Sequence, residues 1–172
     1  WVFNLCEEII RRNITLEITI QTRVDCLDKE LLEVMRDAGI SNIWLGVESA
    51  DDNILALSHK GINFESTYNC ITMIRDAGIC PNAFFMLGMP GETVESLNKT
   101  IRNIHDFKVP YTRSIMICTP RYGTEYYLLA QKQYPFIEND WYGLNAVKGL
   151  VANEMTPHLL LEAKSILQNR EF

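Results

Sequence analysis

At 172 residues, with 47% hydrophobic and 22% charged side chains, the chain is long enough for one sizeable core and ordinary in composition for a folded domain. A net charge of −6 weighs against nucleic acid held by bulk charge, and no clear nucleic-acid signal is present. No apolar run approaches the roughly 20 residues that cross a bilayer, so a cytoplasmic setting is expected.

The chain opens on Trp1 rather than Met, and its first residues already read as a helix in mid-fold. Val2, Leu5, Cys6, Ile9 and Ile10 share one face over 2–12. A piece of a longer protein is therefore expected. Ile14, Leu16, Ile18 and Ile20 alternate with Thr15, Glu17 and Thr19, which predicts a strand over 14–20. Its odd-numbered set, continuing through Gln21, Arg23 and Asp25, faces either a barrel interior or the solvent side of an edge strand; the alternation serves both.

Asp28 caps a helix whose stripe is Leu31, Val34, Met35 and Ala38, closed by Gly39. Residues 43–47 make a short buried strand. Asn63 starts a second helix through Ile71 and Ile74, closed by Gly78, and 83–87 form the next buried strand. The pentapeptide Arg36-Asp37-Ala38-Gly39-Ile40 returns letter for letter as Arg75-Asp76-Ala77-Gly78-Ile79, about 39 residues later. A helix–Gly–strand–loop unit is thus used twice. Val94, Leu97, Ile101 and Ile104 mark a longer helix, 114–118 a fourth strand, and 125–133 a helix. Residues 134–150 are irregular and aromatic, and Thr156-Pro157 opens a last helix with Thr156 as its cap.

Strands alternating with helices predict an α/β fold: a parallel sheet with right-handed crossovers, built from (βα) barrel units with outer helices. Ligands in such folds bind at the carboxyl ends of the strands. Three segments fall there. Glu48 shares its face with Trp44 and Gly46, and its carboxylate can accept two hydroxyl hydrogen bonds such as a ribose offers; a helix cap near Asp51 is the other reading. The loop Gly88-Met89-Pro90-Gly91 lets backbone approach a flat ligand, or is simply a tight turn before a helix. Lys60 is either a cation for a ligand carboxylate or a solvated lysine. The three histidines show no metal-ligand spacing. The five cysteines form no CxxC or CxxxCxxC cluster and read as free cytosolic thiols.

Taken together, Arg23-Val24-Asp25, Leu45-Gly46-Val47-Glu48-Ser49, Lys60-Gly61, Leu87-Gly88-Met89-Pro90-Gly91-Glu92-Thr93 and Thr119-Pro120 with Gly123-Thr124 resemble the radical S-adenosylmethionine (radical SAM) superfamily, in particular its group with a cobalamin-binding domain. The resemblance implies the C-terminal part of a partial (βα)6 TIM-like barrel. Residues 1–133 would supply strands three to six, and 134–172 an irregular segment and helix. It implies that Glu48, with Ser49 beside it, holds the ribose of S-adenosylmethionine, that Lys60 meets its carboxylate, and that Arg23 sits nearby. Phe84, Met86, Gly88, Pro90 and Gly91 would border the adenosine, and Thr119 and Pro120 would shape the adenine floor. Glu92 and Thr93 are expected to start a helix.

The superfamily's cluster-binding CxxxCxxC is absent. The resemblance places the ligands of a [4Fe-4S] cluster upstream and leaves open whether the parent also uses cobalamin. The parent would cleave S-adenosylmethionine to a 5′-deoxyadenosyl radical acting on a small-molecule substrate, in methylation, cyclisation or other radical chemistry. The fragment alone would be inactive, and it would self-associate through an open barrel edge. Two other classes compete: a non-redox TIM-like enzyme, for which no strand ends in a Schiff-base lysine, and a noncatalytic binding module.

Overall fold

The structure is a computed structural model and describes residues 1–109, 114–133 and 156–168. The order is α1 (Val2–Arg11), β1 (Ile18–Thr22), a 3₁₀ turn (Val24–Cys26), α2 (Lys29–Asp37), β2 (Ile40–Glu48), α3 (Asp52–Leu57), α4 (Phe64–Asp76), β3 (Cys80–Leu87), α5 (Val94–Phe107), β4 (Ile115–Ile117), α6 (Glu125–Gln133) and α7 (Pro157–Gln168). All strand pairings are parallel, in the order β1-β2-β3-β4. The alternation of strand and helix is therefore realised as expected. The irregular segment expected over 134–150 lies outside the described residues.

The caps that the sequence announces are formed. Asp28 accepts the Leu31 N–H at 2.8 Å, Thr156 accepts the Leu159 N–H at 3.2 Å, and Asn63 and Ser66 make a reciprocal capping box at the start of α4. One strand is displaced. Residues 14–17 are not in β1, and Ile14 and Leu16 stay exposed. The Ile14 N–H closes the end of α1 on the Ile9 carbonyl, so the chain is still tied to that helix at Ile14 and joins the sheet only at Ile18. Helix α3 is the helix near Asp51 that the other reading of Glu48 presupposes, and Glu48 does not cap it. It is six residues long, started by Asp51, which accepts from Asn53 N and Ile54 N.

The core lies on one face of the sheet. Ile43, Leu45 and Val47 of β2 and Ala83, Phe85 and Leu87 of β3 are buried under the helices, with Leu32, Ile71, Ile74 and Phe107 packed over them. The alternate residues turn the other way: Trp44, Gly46 and Glu48 of β2, Phe84 and Met86 of β3. These are half-buried, and the Trp44 and Phe84 rings stack with centroids 4.9 Å apart. On β1, Ile18 and Ile20 are half-buried while Thr19 and Gln21 are exposed, the parity read from the sequence. Among the described residues no helix is long and apolar enough to cross a membrane.

Candidate functional site

The site forms where β2, β3 and β4 end. The β2–β3 ladder slips between Gly46 and Glu48, and Glu48 takes φ +68°. A left-handed backbone is uncommon for a residue with a side chain and concentrates at functional positions; a bulge at a strand end re-aims the side chain that follows. The Glu48 carboxylate is aimed at Lys60 and ion-paired with it, and the Lys60 ammonium also donates to the Gly46 carbonyl at 3.4 Å. Both side chains are mostly buried, at 14% and 28% exposure. Gly46 is bare where these charges meet. A Cβ there would lie 3.0 Å from Lys60 Nζ and 3.2 Å from Glu48 Oε1.

Arg23 reaches the same corner from the end of β1. Its guanidinium grips Asp25 through two 2.8 Å hydrogen bonds and donates to the Lys60 carbonyl at 2.7 Å. That grip holds the Asp25 carboxyl below its usual range. Arg23 thus fixes the loop that carries Lys60.

The chain after β2 is clamped by α5. Ser49 and Thr100 share a hydrogen bond of 3.0 Å, Thr100 Oγ1 accepts the Ala50 N–H at 3.2 Å, Ser49 Oγ accepts the Asp51 N–H at 3.1 Å, and Lys99 pairs with Asp51 at 3.1 Å. Ser49 and Thr100 are fully buried, so Ser49 works inside this clamp and not on a ligand-facing surface.

A cavity of about 300 Å³ opens beside the ion pair, lined by Glu48, Leu57, Ser58, Lys60, Met86, Met89, Pro90, Cys118 and Tyr126. It brings together four of the residues singled out in the sequence: Glu48, Lys60, Met86 and Pro90. Gly88 and Gly91 bracket its wall with φ +79° and +82°. Phe84 is taken up by its stack on Trp44. Thr119 and Pro120 follow Cys118 without lining the cavity. Burial pushes the Cys118 thiol up to about 12, a contact from Tyr126 offsetting part of the shift. Met89 belongs to the loop read from the sequence as a whole, whereas Leu57, Ser58, Cys118 and Tyr126 were not legible as site residues. Nothing in the sequence separates Tyr126 from Tyr127, yet Tyr127 enters the interior and Tyr126 the cavity.

Glu92 corrects an expectation. Helix α5 begins at Val94, and its cap is Thr93, which exchanges hydrogen bonds with Ser96. Glu92 is fully buried and turns back to accept the Gly88 N–H. Desolvation lifts its carboxyl to about 7, the Gly88 and Met89 N–H groups oppose the rise, and the nearby Asp51 charge adds to it.

The residues present fit the hydroxyl-rich, zwitterionic part of an S-adenosylmethionine molecule: a carboxylate acceptor, an ammonium and a bare backbone position beside them. They do not fit an iron–sulfur cluster. Cys6, Cys70 and Cys118 are buried apart from one another, and among the described residues no group of three or more His, Cys, Asp or Glu could hold a metal.

The family model for the radical SAM superfamily matches residues 2–104. The chain is 36% identical over 104 residues to the anaerobic magnesium-protoporphyrin IX monomethyl ester cyclase of Rubrivivax gelatinosus, covering 59% of this chain and 19% of that protein. Among solved structures, the radical SAM enzyme coproporphyrinogen III oxidase (HemN) of Escherichia coli matches with TM-score 0.65 and 17% identity over 95% of this chain and 35% of its own. The radical S-adenosylmethionine methyltransferase TsrM of Kitasatospora setae, solved with cobalamin and a [4Fe-4S] cluster, matches with TM-score 0.58 and 20% identity over 67% of this chain and 24% of its own. At these identities the two structures speak for the fold. The chain spans about a fifth of the length of the curated cyclase it matches.

Proposed function

The chain belongs to the radical SAM superfamily, and on that premise we propose that the cavity beside Glu48 and Lys60 is its S-adenosylmethionine site. The observation that carries the reading is the Glu48–Lys60 pair across bare Gly46 at a strand end, built on a left-handed Glu48. Each partner matches one part of the ligand. Glu48 accepts the two ribose hydroxyls, and Lys60, released from Glu48 by that exchange, turns to the methionyl carboxylate. Arg23 holds the Lys60 loop in place through its carbonyl. Met86, Met89 and Pro90 give the adenosine an apolar wall and exclude water from it.

S-adenosylmethionine supplies the radical chemistry, with a cluster that this chain's scattered cysteines do not ligate. Its residues bind, orient and desolvate. The whole protein is read as an enzyme acting on a small molecule, and cobalamin enters that reading through the motifs shared with the group that carries a cobalamin-binding domain.

Isothermal titration of S-adenosylmethionine into the chain tests the proposal. Saturable binding is expected, weakened about tenfold or more, roughly 1.4 kcal/mol, by Glu48→Gln. Equal affinity in wild type and variant would place the ligand elsewhere. Iron and sulfide added under anaerobic conditions are expected to leave no cluster absorption on this chain.

A further inference from the structure

We propose that Glu92 is a proton-sensitive positioning residue: its neutral carboxyl latches the 88–91 loop against the cavity through the Gly88 N–H, and its ionisation releases the loop. The inference takes the cavity to be the S-adenosylmethionine site, as proposed above.

The geometry makes Glu92 the closing point of the loop at both ends. Its Oε2 accepts the Gly88 N–H, and its own N–H donates to the Met89 carbonyl at 2.9 Å. Between those two bonds lie Met89 and Pro90, which line the cavity. Pro90 has no N–H to donate, and the Met89 N–H acts on the same Glu92 carboxyl. The next residue, Gly91, packs so closely on Leu57, another cavity residue, that a Cβ would collide with it. A shift of this loop therefore moves two walls of the cavity.

The site of the latch favours the neutral carboxyl. Glu92 is fully buried, and its Oε1 has no hydrogen-bond partner among the described residues. A charge on that carboxyl leaves an anionic oxygen without a partner in the interior, a costly arrangement for a buried acid. The Gly88 and Met89 N–H groups offset only part of that cost, and the neighbouring side chains give no relief. Asp51, at the start of α3, carries a like charge, and Lys99 of α5 is committed to it. Cys118, after β4, is a neutral thiol, and Glu48, at the end of β2, holds Lys60. An ionised Glu92 gains by reaching water, which it can do only by letting go of Gly88. Because burial lifts the Glu92 carboxyl to about 7, the latch changes state near neutrality.

Nuclear magnetic resonance of the isotope-labelled chain, titrated from about pH 5.5 to 8.5, tests the latch without any ligand. The Gly88 amide is expected to titrate with its midpoint near 7 and to stay constant in Glu92→Gln, whose amide oxygen keeps the acceptor and cannot ionise. Asp51→Asn, which retains a capping side chain for α3, is expected to lower the midpoint by removing the like charge. Binding of S-adenosylmethionine over the same range is expected to weaken several-fold as pH rises in wild type and to remain tight in Glu92→Gln. A Gly88 amide that does not titrate, or that titrates alike in Glu92→Gln, overturns the latch whatever the ligand does. A titrating Gly88 with no binding of S-adenosylmethionine at any pH leaves the latch standing and overturns the cavity assignment.

Discussion

Gly46 shows how much a single missing side chain does at this site. Its Cα is where the Glu48 carboxylate and the Lys60 ammonium converge, and the atoms a Cβ would press on, at 3.0 and 3.2 Å, are the far ends of flexible side chains. Gly46→Ala is therefore expected to fold with a melting temperature within a few degrees of wild type. It should lose about tenfold in S-adenosylmethionine affinity, since both charges must move out of place. Titration calorimetry beside thermal unfolding checks the split; a large loss of stability would show that the position is structural. Glu92 makes a prediction of a different kind. Its folded carboxyl titrates near 7 against an ordinary 4.5, so the folded chain binds this proton more tightly than the unfolded chain does. The resulting stabilisation is fully present below 4.5, declines between 4.5 and 7, and is absent above 7. The span is on the order of 3 kcal/mol. Urea unfolding of wild type and Glu92→Gln across that range is expected to show wild type losing ground to the variant as pH rises. Parallel curves would show that Glu92 is not buried in solution.

At the scale of elements, identical sequence does not mean identical constraint. The repeated Arg-Asp-Ala-Gly-Ile closes two helices with a left-handed glycine, Gly39 at φ +93° and Gly78 at +81°. At Gly39 the chain entering β1 crosses so close that an added Cβ would overlap the Leu16 carbonyl, whereas at Gly78 it would meet only Arg36 Cδ at 3.8 Å. Gly78→Ala is expected to cost roughly 1 kcal/mol, the price of the left-handed backbone alone. Gly39→Ala should cost more than about 3 kcal/mol, because a backbone has to shift. Denaturant unfolding of the two variants measures the difference, and equal losses would mean that β1 does not dock as described. Thr100 ties α5 to the chain leaving β2 through Ser49 and the Ala50 N–H. Thr100→Val keeps the shape, strands the Ala50 N–H and leaves Ser49 only its bond from Asp51, for an expected loss of about 1–3 kcal/mol in the same assay.

At the scale of the molecule, the sheet of the described residues ends at β1, which pairs only with β2. Its outward edge presents unpaired backbone groups, and the face carrying Trp44, Phe84 and the exposed Met116 is only partly covered. The chain is expected to self-associate as its concentration rises, with the sheet edge as the contact. Sedimentation velocity over a concentration series reads this directly, and a single monomer peak throughout would contradict it.

Much of this was legible before any tertiary structure. Helix caps at Asp28, Asn63 and Thr156 and the parity of β2 and β3 follow from local chemistry, since a cap and an alternation each involve residues a few positions apart. The motifs at the strand ends announced Glu48, Lys60 and the 88–91 loop, because parallel α/β folds bring strand ends together whatever the details of packing. Other features depended on contacts between residues far apart in the chain. The true start of β1 was set by how Ile14 closes the end of α1. The roles of Ser49 and Tyr126 were set by which of their neighbours fell inside. Glu92 reads in sequence as an ordinary acid at a helix start. Only the return of its side chain beneath the loop, in a place no water reaches, made it the group that holds Gly88. The sequence by itself determined the strand and helix order and the superfamily, through local periodicity and motifs. Tertiary structure alone decided which polar groups are desolvated, because burial is a property of neighbours that no local pattern encodes.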